Sequence, residues 1–418
     1  MANFRAFKAL RPQPEKAAKV AALPYDVVSR EEARNIGKEN PDSFLHVDRA
    51  EMDLEENIDL YDTAVYKKAK ENLEKMEQDG VLTQDEKACF YIYELVRKNK
   101  AQCGIVGCSA IEDYLSGVVK EHESTRKEKE QDRICHIDAC NANTGLVYLA
   151  CQYTEKLKEL MKSWKEKHAP VYDFAAEDEV IHRVWVVDAE EIIAEIGEEF
   201  KKIETMYIAD GHHRAAAAVK IGEKRRQENP NASKEEAYNY FMAAAFPYEE
   251  LTILPYNRVV KDLNGMTGKA FLSAVKFNFE LMLMPGFPCK PIEKHSMGMY
   301  FEGDWYHLRA YSDVYEKKDA VGQLDVSILQ DKILKPVLGI EDPRTDKRLI
   351  FVGGNQRLKC LQEIADETGG AAFALYPTSM EEIMQIAEAG EMMPPKSTWF
   401  EPKLRSGLLI HKLDGKQV

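Results

Sequence analysis

The sequence predicts an α/β fold with mixed α and β elements. Three observations predict it. Short apolar runs such as ACFYIYELV, NTGLVYLACQY, HRVWVVD and IETMYIAD read as buried strands. Between them lie segments whose apolar residues recur every three or four positions, as in amphipathic helices. Helix-start pairs of Ser or Thr with Glu three residues later punctuate the chain at Ser29–Glu32, Thr125–Glu128 and Ser379–Glu382. Strands alternating with helices argue for α/β architecture.

The elements follow in order. Residues 21–28, AALPYDVV, are mostly apolar, and their proline suits a strand edge or a loop. Ser29 and Glu32 open a short helix that Gly37 is placed to end. Ile58, Tyr61, Val65, Ala69, Leu73 and Met76 mark the next helix, stopped by Asp79-Gly80. ACFYIYELV and CGIVGCSAI, around polar RKNKAQ, predict a pair of strands. The Thr125–Glu128 pair opens a charged helix, and NTGLVYLACQY returns as a strand. A Lys- and Glu-rich helix then runs to about residue 167, followed by the strand HRVWVVD. Asp188 and Glu191 cap the helix EEIIAEIGEEFKK, IETMYIAD is a strand, and HHRAAAAVKIGEKRRQ is a helix. Ser233 and Glu236 form another capping pair. In the last third, LDVSILQDKILKPVLGI predicts helices, RLIFVGG a strand, and Ser379 to Gly390 a capped helix.

With 418 residues the chain has room for two or three domains. The division expected is a core over 1–250, with an inserted region near 55–200, and a C-terminal α/β half over 251–418 packed on it. A net charge of −14 gives a surface that does not draw in nucleic acid or anionic lipid, so neither nucleic acid nor membrane is an expected partner. MANFRAFKALRP lacks a secretory h-region, and eight scattered cysteines without CxxC pairs suit a reducing, cytoplasmic setting. Cys135, His136 and Cys140 resemble part of a metal site, but no second cluster completes it.

The chemistry concentrates in IADGHHRAAAAV, residues 208–219. A strand ending at Asp210 passes through Gly211 into a helix starting near His213. The first turn of a helix presents unpaired N–H groups and partial positive charge, which bind phosphate. Arg214 adds a planar bidentate donor. Ala215 to Ala218 let the helix pack closely and hold the loop rigid. Asp210 either caps the helix or holds Mg²⁺ beside a phosphate. His212 and His213 can donate to phosphoryl oxygens, and one of them could move a proton. MPPKSTWFEPKL (393–404) is another constellation. Its Lys396, Ser397, Thr398 and Lys403 supply cations and hydroxyls that could close over a phosphate.

The DGHHR turn resembles the signature of the ParB/sulfiredoxin superfamily, in its free serine kinase branch. LPYDVVSREEARN, NPDSFLHVDRAE, HESTRKEKEQDR, IADGHHRAAAA, ILPYNRVV and MPPKSTWFEPKLRSGL together resemble a bacterial domain-of-unknown-function family, number ten-fifteen. The resemblance covers nearly the whole chain. It implies a ParB/sulfiredoxin-like core with a large insertion and a C-terminal α/β half. It also implies that His122, Glu123, Thr125 and Arg133 face the DGHHR loop. Glu123, with Asp210, would then hold Mg²⁺, and Arg133 would neutralise a transferring phosphoryl group. Asp26, Glu31 and Glu32 would be the candidates for the carboxylate that activates an acceptor hydroxyl, with Asp26 preferred. Where the family often carries His-Arg, this chain reads Asn257-Arg258, leaving Arg258 as an anion contact. The motif lacks the sulfiredoxin cysteine, and the chain has no basic DNA-reading domain. The function implied is a phosphotransferase using ADP or ATP with Mg²⁺, acting on a small hydroxylated metabolite, with a homo-oligomer possible. A nucleotide-binding regulator without turnover and a metal-assisted phosphohydrolase are the alternatives.

Overall fold

In the computed structural model, residues 1–416 are described. The fold is mixed α/β, as the alternation of apolar runs and amphipathic segments predicts. The chain divides into two compact units. The first comprises 1–121, 125–251 and 402–418; the second comprises 122–124 and 252–401. Among the described residues no helix is long and apolar enough to cross a membrane, and none of the eight cysteines is in a disulfide.

A nine-stranded sheet organises the first unit. From one edge it runs Val119–Lys120, Met206–Asp210, Val147–Cys151, Tyr240–Pro247, Lys100–Ala110, Phe90–Arg97, Ile181–Val187 and Tyr172–Ala175, with Phe4–Arg5 also pairing Lys100–Ala110. Its central strands are buried on both faces, so they read as continuous apolar runs instead of alternating patterns. The helix His212–Glu228 packs its alanines against this sheet, with Ala215 and Ala217 fully buried. Glycine serves the same close approach at Gly222, where a Cβ would lie 2.6 Å from Ile111 and 2.7 Å from the Tyr238 carbonyl oxygen. Helices Arg30–Glu39, Leu45–Asp48 and Thr63–Gln78 build a second core around Phe44, Ala69 and Leu73.

The second unit holds a six-stranded sheet in the order Phe279–Met284, Asp304–Ala310, Ser296–Phe301, Ala371–Leu375, Tyr256–Val260, Leu349–Gly353. Helix Leu358–Thr368 packs on it through Leu361 and Ala365.

Local expectations meet mixed outcomes. The capping boxes at Ser29–Glu32 and Ser379–Glu382 form with both reciprocal hydrogen bonds. That at Thr125–Glu128 does not: helix Lys127–Cys140 starts two residues later, and the Thr125 hydroxyl donates to Glu130 instead. Asp188 caps nothing, because Ala189 is the N-cap of Glu190–Phe200. Ser233 accepts from the Glu235 amide in a local turn, and only a short 3-10 helix, Ala237–Asn239, follows. Gly37 lies inside its helix and does not end it; an added Cβ there would come within 2.2 Å of Met52 Cε. Residues 21–28 form no strand; Ala22 makes a single bridge with Ser406.

Candidate functional site

The strand Met206–Asp210 reaches the turn through a bulge. Ile208 pairs Leu149 and Asp210 pairs Tyr148, which leaves Ala209 as the extra residue. Gly211 then takes a left-handed conformation, φ 92°, as the N-cap of His212–Glu228. Glycine reaches that region without steric penalty. It also leaves room for the guanidinium, since an added Cβ would sit 2.9 Å from Arg214 Nε.

Asp210 is not the helix cap, because Gly211 holds that position and no side chain caps it. Its Oδ2 lies 3.3 Å from Lys403 Nζ and 3.5 Å from Arg214 Nη2. Burial pushes the Asp210 carboxyl up, but Lys403 and then Arg214 outweigh it and hold it well below the usual carboxylate range. Arg214 also donates through Nη1 to the Leu146 carbonyl, so its head is fixed from two sides. His212 is buried. Burial brings its pKa down to about 4, with Asp210 opposing and His213 and Arg214 assisting. It is therefore neutral near pH 7. His213 accepts the Arg126 N–H at its Nε2, 3.0 Å away. That tautomer carries its proton on Nδ1.

Helix Lys127–Cys140 brings Arg133 to the same region of the first unit. Arg133 reaches Asp132 Oδ2 through Nε at 3.0 Å and Nη2 at 2.9 Å. Its guanidinium lies 3.9 Å from the centre of the Tyr25 ring. The Tyr66 hydroxyl donates to the other Asp132 oxygen at 3.1 Å. Burial alone would lower the Arg133 pKa, but Tyr25 and Asp132 outweigh it and the group stays charged. Tyr25, Arg133 and Arg214 line one small cavity, together with Asp48, Thr144 and Gly145. Its volume is about 20 Å³, room for one water molecule. Asp26, next to Tyr25, is exposed.

Sequence reasoning missed Tyr25, Asp48 and Thr144, whose hydroxyl donates to Asp48 at 2.8 Å. Tyr25 and Asp48 do fall inside PYDVV and HVDRA, stretches already singled out, but neither residue type announces its partner.

The remaining predicted residues belong to the second unit or its margin. His122 is buried, and its carbonyl accepts the Met393 N–H at 2.8 Å. Glu123 is half-buried and falls in the second unit; Thr125 falls in the first. Ser397 donates to the Pro394 carbonyl at 2.5 Å, and Lys396 adopts φ 57° with its ammonium 5.3 Å from the Tyr256 ring centre. Thr398 lies between Ser397 and the strand Trp399–Glu401. Arg258 differs from an open anion contact. It is buried and directs its N–H groups at the carbonyls of Tyr256, Asn257, Pro395 and Lys396.

Among the described residues no three His, Cys, Asp or Glu side chains gather with metal-binding geometry. Asp210, neutralised by two cations, does not fit an open magnesium ligand as it stands. The Cys135, His136 and Cys140 trio lies on helix Lys127–Cys140, where His136 Nε2 is 3.0 Å from the Val47 carbonyl oxygen.

The family model described as "Protein of unknown function (DUF1015)" matches residues 4–327. No curated protein matches the chain. Among solved structures, a free serine kinase in complex with AMP aligns at 12% identity, covering 73% of this chain and 92% of that one, with TM-score 0.36. A conserved hypothetical protein from Pyrococcus furiosus aligns at 12% identity over 75% and 96% of the two chains, TM-score 0.36. SbnI with C-terminal truncation from Staphylococcus aureus aligns at 10% identity over 72% and 85%, TM-score 0.37. Likenesses this distant carry no function across.

Proposed function

The chain belongs to the DUF1015 family, and from that premise we propose that it is a nucleotide-dependent phosphotransferase acting on a small hydroxylated metabolite. One observation carries the reading. At the N-terminus of a 17-residue helix, Gly211 supplies no side-chain cap, while Arg214 and Lys403 converge on a single carboxylate, Asp210. Cationic donors beside a positive helix end attract phosphate.

In this reading the phosphates of ADP or ATP rest outside the one-water cavity, on the turn at Gly211 to Arg214. Arg214 and Lys403 then exchange part of their pairing with Asp210 for phosphoryl oxygens. Arg133, held over the Tyr25 ring, stabilises the transferring group. Asp26 accepts the acceptor's hydroxyl proton, and His213 is the second proton carrier. Thr125 completes the nucleotide contacts within the first unit. Magnesium, where needed, enters with the phosphates. Such chemistry rests mostly on positioning and charge stabilisation.

Thermal-shift titration with ADP and ATP tests the reading, because a ligand of the folded state raises Tm by mass action. Nucleotide should raise Tm, and Arg214→Ala should remove the rise. Product analysis then separates the chemistries. A phosphorylated metabolite supports the transferase, free phosphate alone would make the protein a hydrolase, and binding without turnover a regulator. No shift with any nucleotide rejects all three.

A further inference from the structure

Helix His212–Glu228 spans 17 residues, roughly 25 Å, and its far end borders a second cleft in the first unit. The cleft has a volume of about 400 Å³, at the small end of the range for metabolite sites. Arg226 comes from the last turn of the helix and Arg5 from the first strand. Lys234, Glu112 and Glu235 complete the charged lining, so three cations stand against two carboxylates. That balance is positive in a chain whose net charge is −14.

Uncharged groups orient both guanidiniums. Arg5 donates through Nε to Asn3 Oδ1 at 2.9 Å and lies over the Tyr240 ring, 5.0 Å from its centre. Arg226 donates through Nε to Asn239 Oδ1 at 2.6 Å. Through Nη1, Arg5 then pairs with Glu235 and Arg226 with Glu112. These glutamate side chains are 44% and 63% exposed. Ion pairs so open to water contribute little stability, and an anion entering the cleft displaces them at low cost. Nη2 of each arginine has no partner among the described residues. Tyr238 forms part of the same wall. It is only 8% exposed, and its hydroxyl has no hydrogen-bond partner. A buried hydroxyl left unbonded is costly, which points to a ligand or water that completes it.

We propose that this cleft is a second binding site, for a small dianion such as a phosphate monoester or a dicarboxylate. Guanidinium forks match the oxygens of either group. Arg5 and Arg226 take the charged oxygens, exchanging Glu235 and Glu112 for them, and the Tyr238 hydroxyl donates one further hydrogen bond. The site is separate from the Gly211 turn and does not depend on nucleotide binding there.

Titration of the full chain carrying Arg214→Ala tests this, so that phosphate at the Gly211 turn does not contribute. Inorganic phosphate and succinate are the probes, followed by backbone amide chemical shifts. At least one should give saturable shifts at Arg5, Arg226 and Asn239 with Kd of about 1 mM or tighter. The tighter of the two identifies the ligand class. Adding Arg226→Gln should weaken binding about tenfold or more. Adding Tyr238→Phe, which removes only an unbonded hydroxyl, should weaken binding about threefold or more without lowering Tm of the unliganded chain. No saturable shift with either probe, or unchanged affinity in either variant, overturns the proposal.

Discussion

Lys403 and Arg214 converge on one carboxylate oxygen of Asp210, at 3.3 Å and 3.5 Å. Lys403 comes from the end of the chain, nearly two hundred residues after the aspartate it neutralises. The pair ties the C-terminal segment 402–418 to the turn within the first unit.

Asp210→Asn should therefore destabilise the protein in a pH-dependent way. The folded carboxyl titrates below its unfolded value, so its stabilisation is present above about pH 4 and is lost as pH falls through the folded pKa. At pH 7 the variant should lose about 2 kcal/mol, and the difference from wild type should shrink in acid. Urea denaturation of both proteins at neutral and acid pH measures it. A constant difference across that range contradicts the ion-pair reading.

Much of this was legible in the sequence, for physical reasons. Periodicity and glycine chemistry report local structure, so the strand–Gly211–helix junction and both true capping boxes could be read directly. Lys403 and Arg133 could be named as cations, but their partners could not. Asp132 and Tyr25 are common residues whose meeting depends on tertiary packing. The false boxes at Thr125 and Ser233 share the spacing of the true ones and were overridden by bonds to Glu130 and to the Glu235 amide. Strands Phe279–Met284 and Ser296–Phe301 escaped notice because FELMLM and SMGMYF alternate poorly between apolar and polar.

His212 should make stability depend on pH in a separate window. Its folded pKa of about 4 lies below the ordinary 6.5 of the unfolded chain. Between those values the unfolded chain binds a proton that the folded one refuses. The stability contribution is full above 6.5 and falls with acidification, by about 3 kcal/mol at its limit. His212→Asn should flatten this part of the profile relative to wild type. Ring-proton NMR gives the pKa directly, and a value above 6 would refute the neutral, buried imidazole.

Gly211→Ala tests the turn itself. At φ 92° an L-residue is strained, and the new Cβ would press on the Arg214 guanidinium at 2.9–3.0 Å. The strain alone is about 1–2 kcal/mol. Arg214 must also shift away from Leu146 and Asp210. The variant should lose Tm and, on the proposed function, weaken nucleotide binding at least tenfold. Unchanged stability and binding would mean that the turn tolerates a side chain and does not place Arg214.

Arg133 offers a test by double-mutant cycle. It is buried, bonded twice to Asp132 and stacked on Tyr25. Arg133→Met would strand the Asp132 carboxylate with only the Tyr66 hydroxyl, at a cost of about 3–5 kcal/mol. Arg133→Lys keeps the charge but loses the planar stack and the fork, and should cost less. Removing the orphaned charge as well, in Arg133→Met/Asp132→Asn, should recover part of the stability lost by Arg133→Met. The coupling energy from the four proteins should exceed about 1 kcal/mol. Additive losses would show that Arg133 is held by Tyr25 and its surroundings, with Asp132 contributing little.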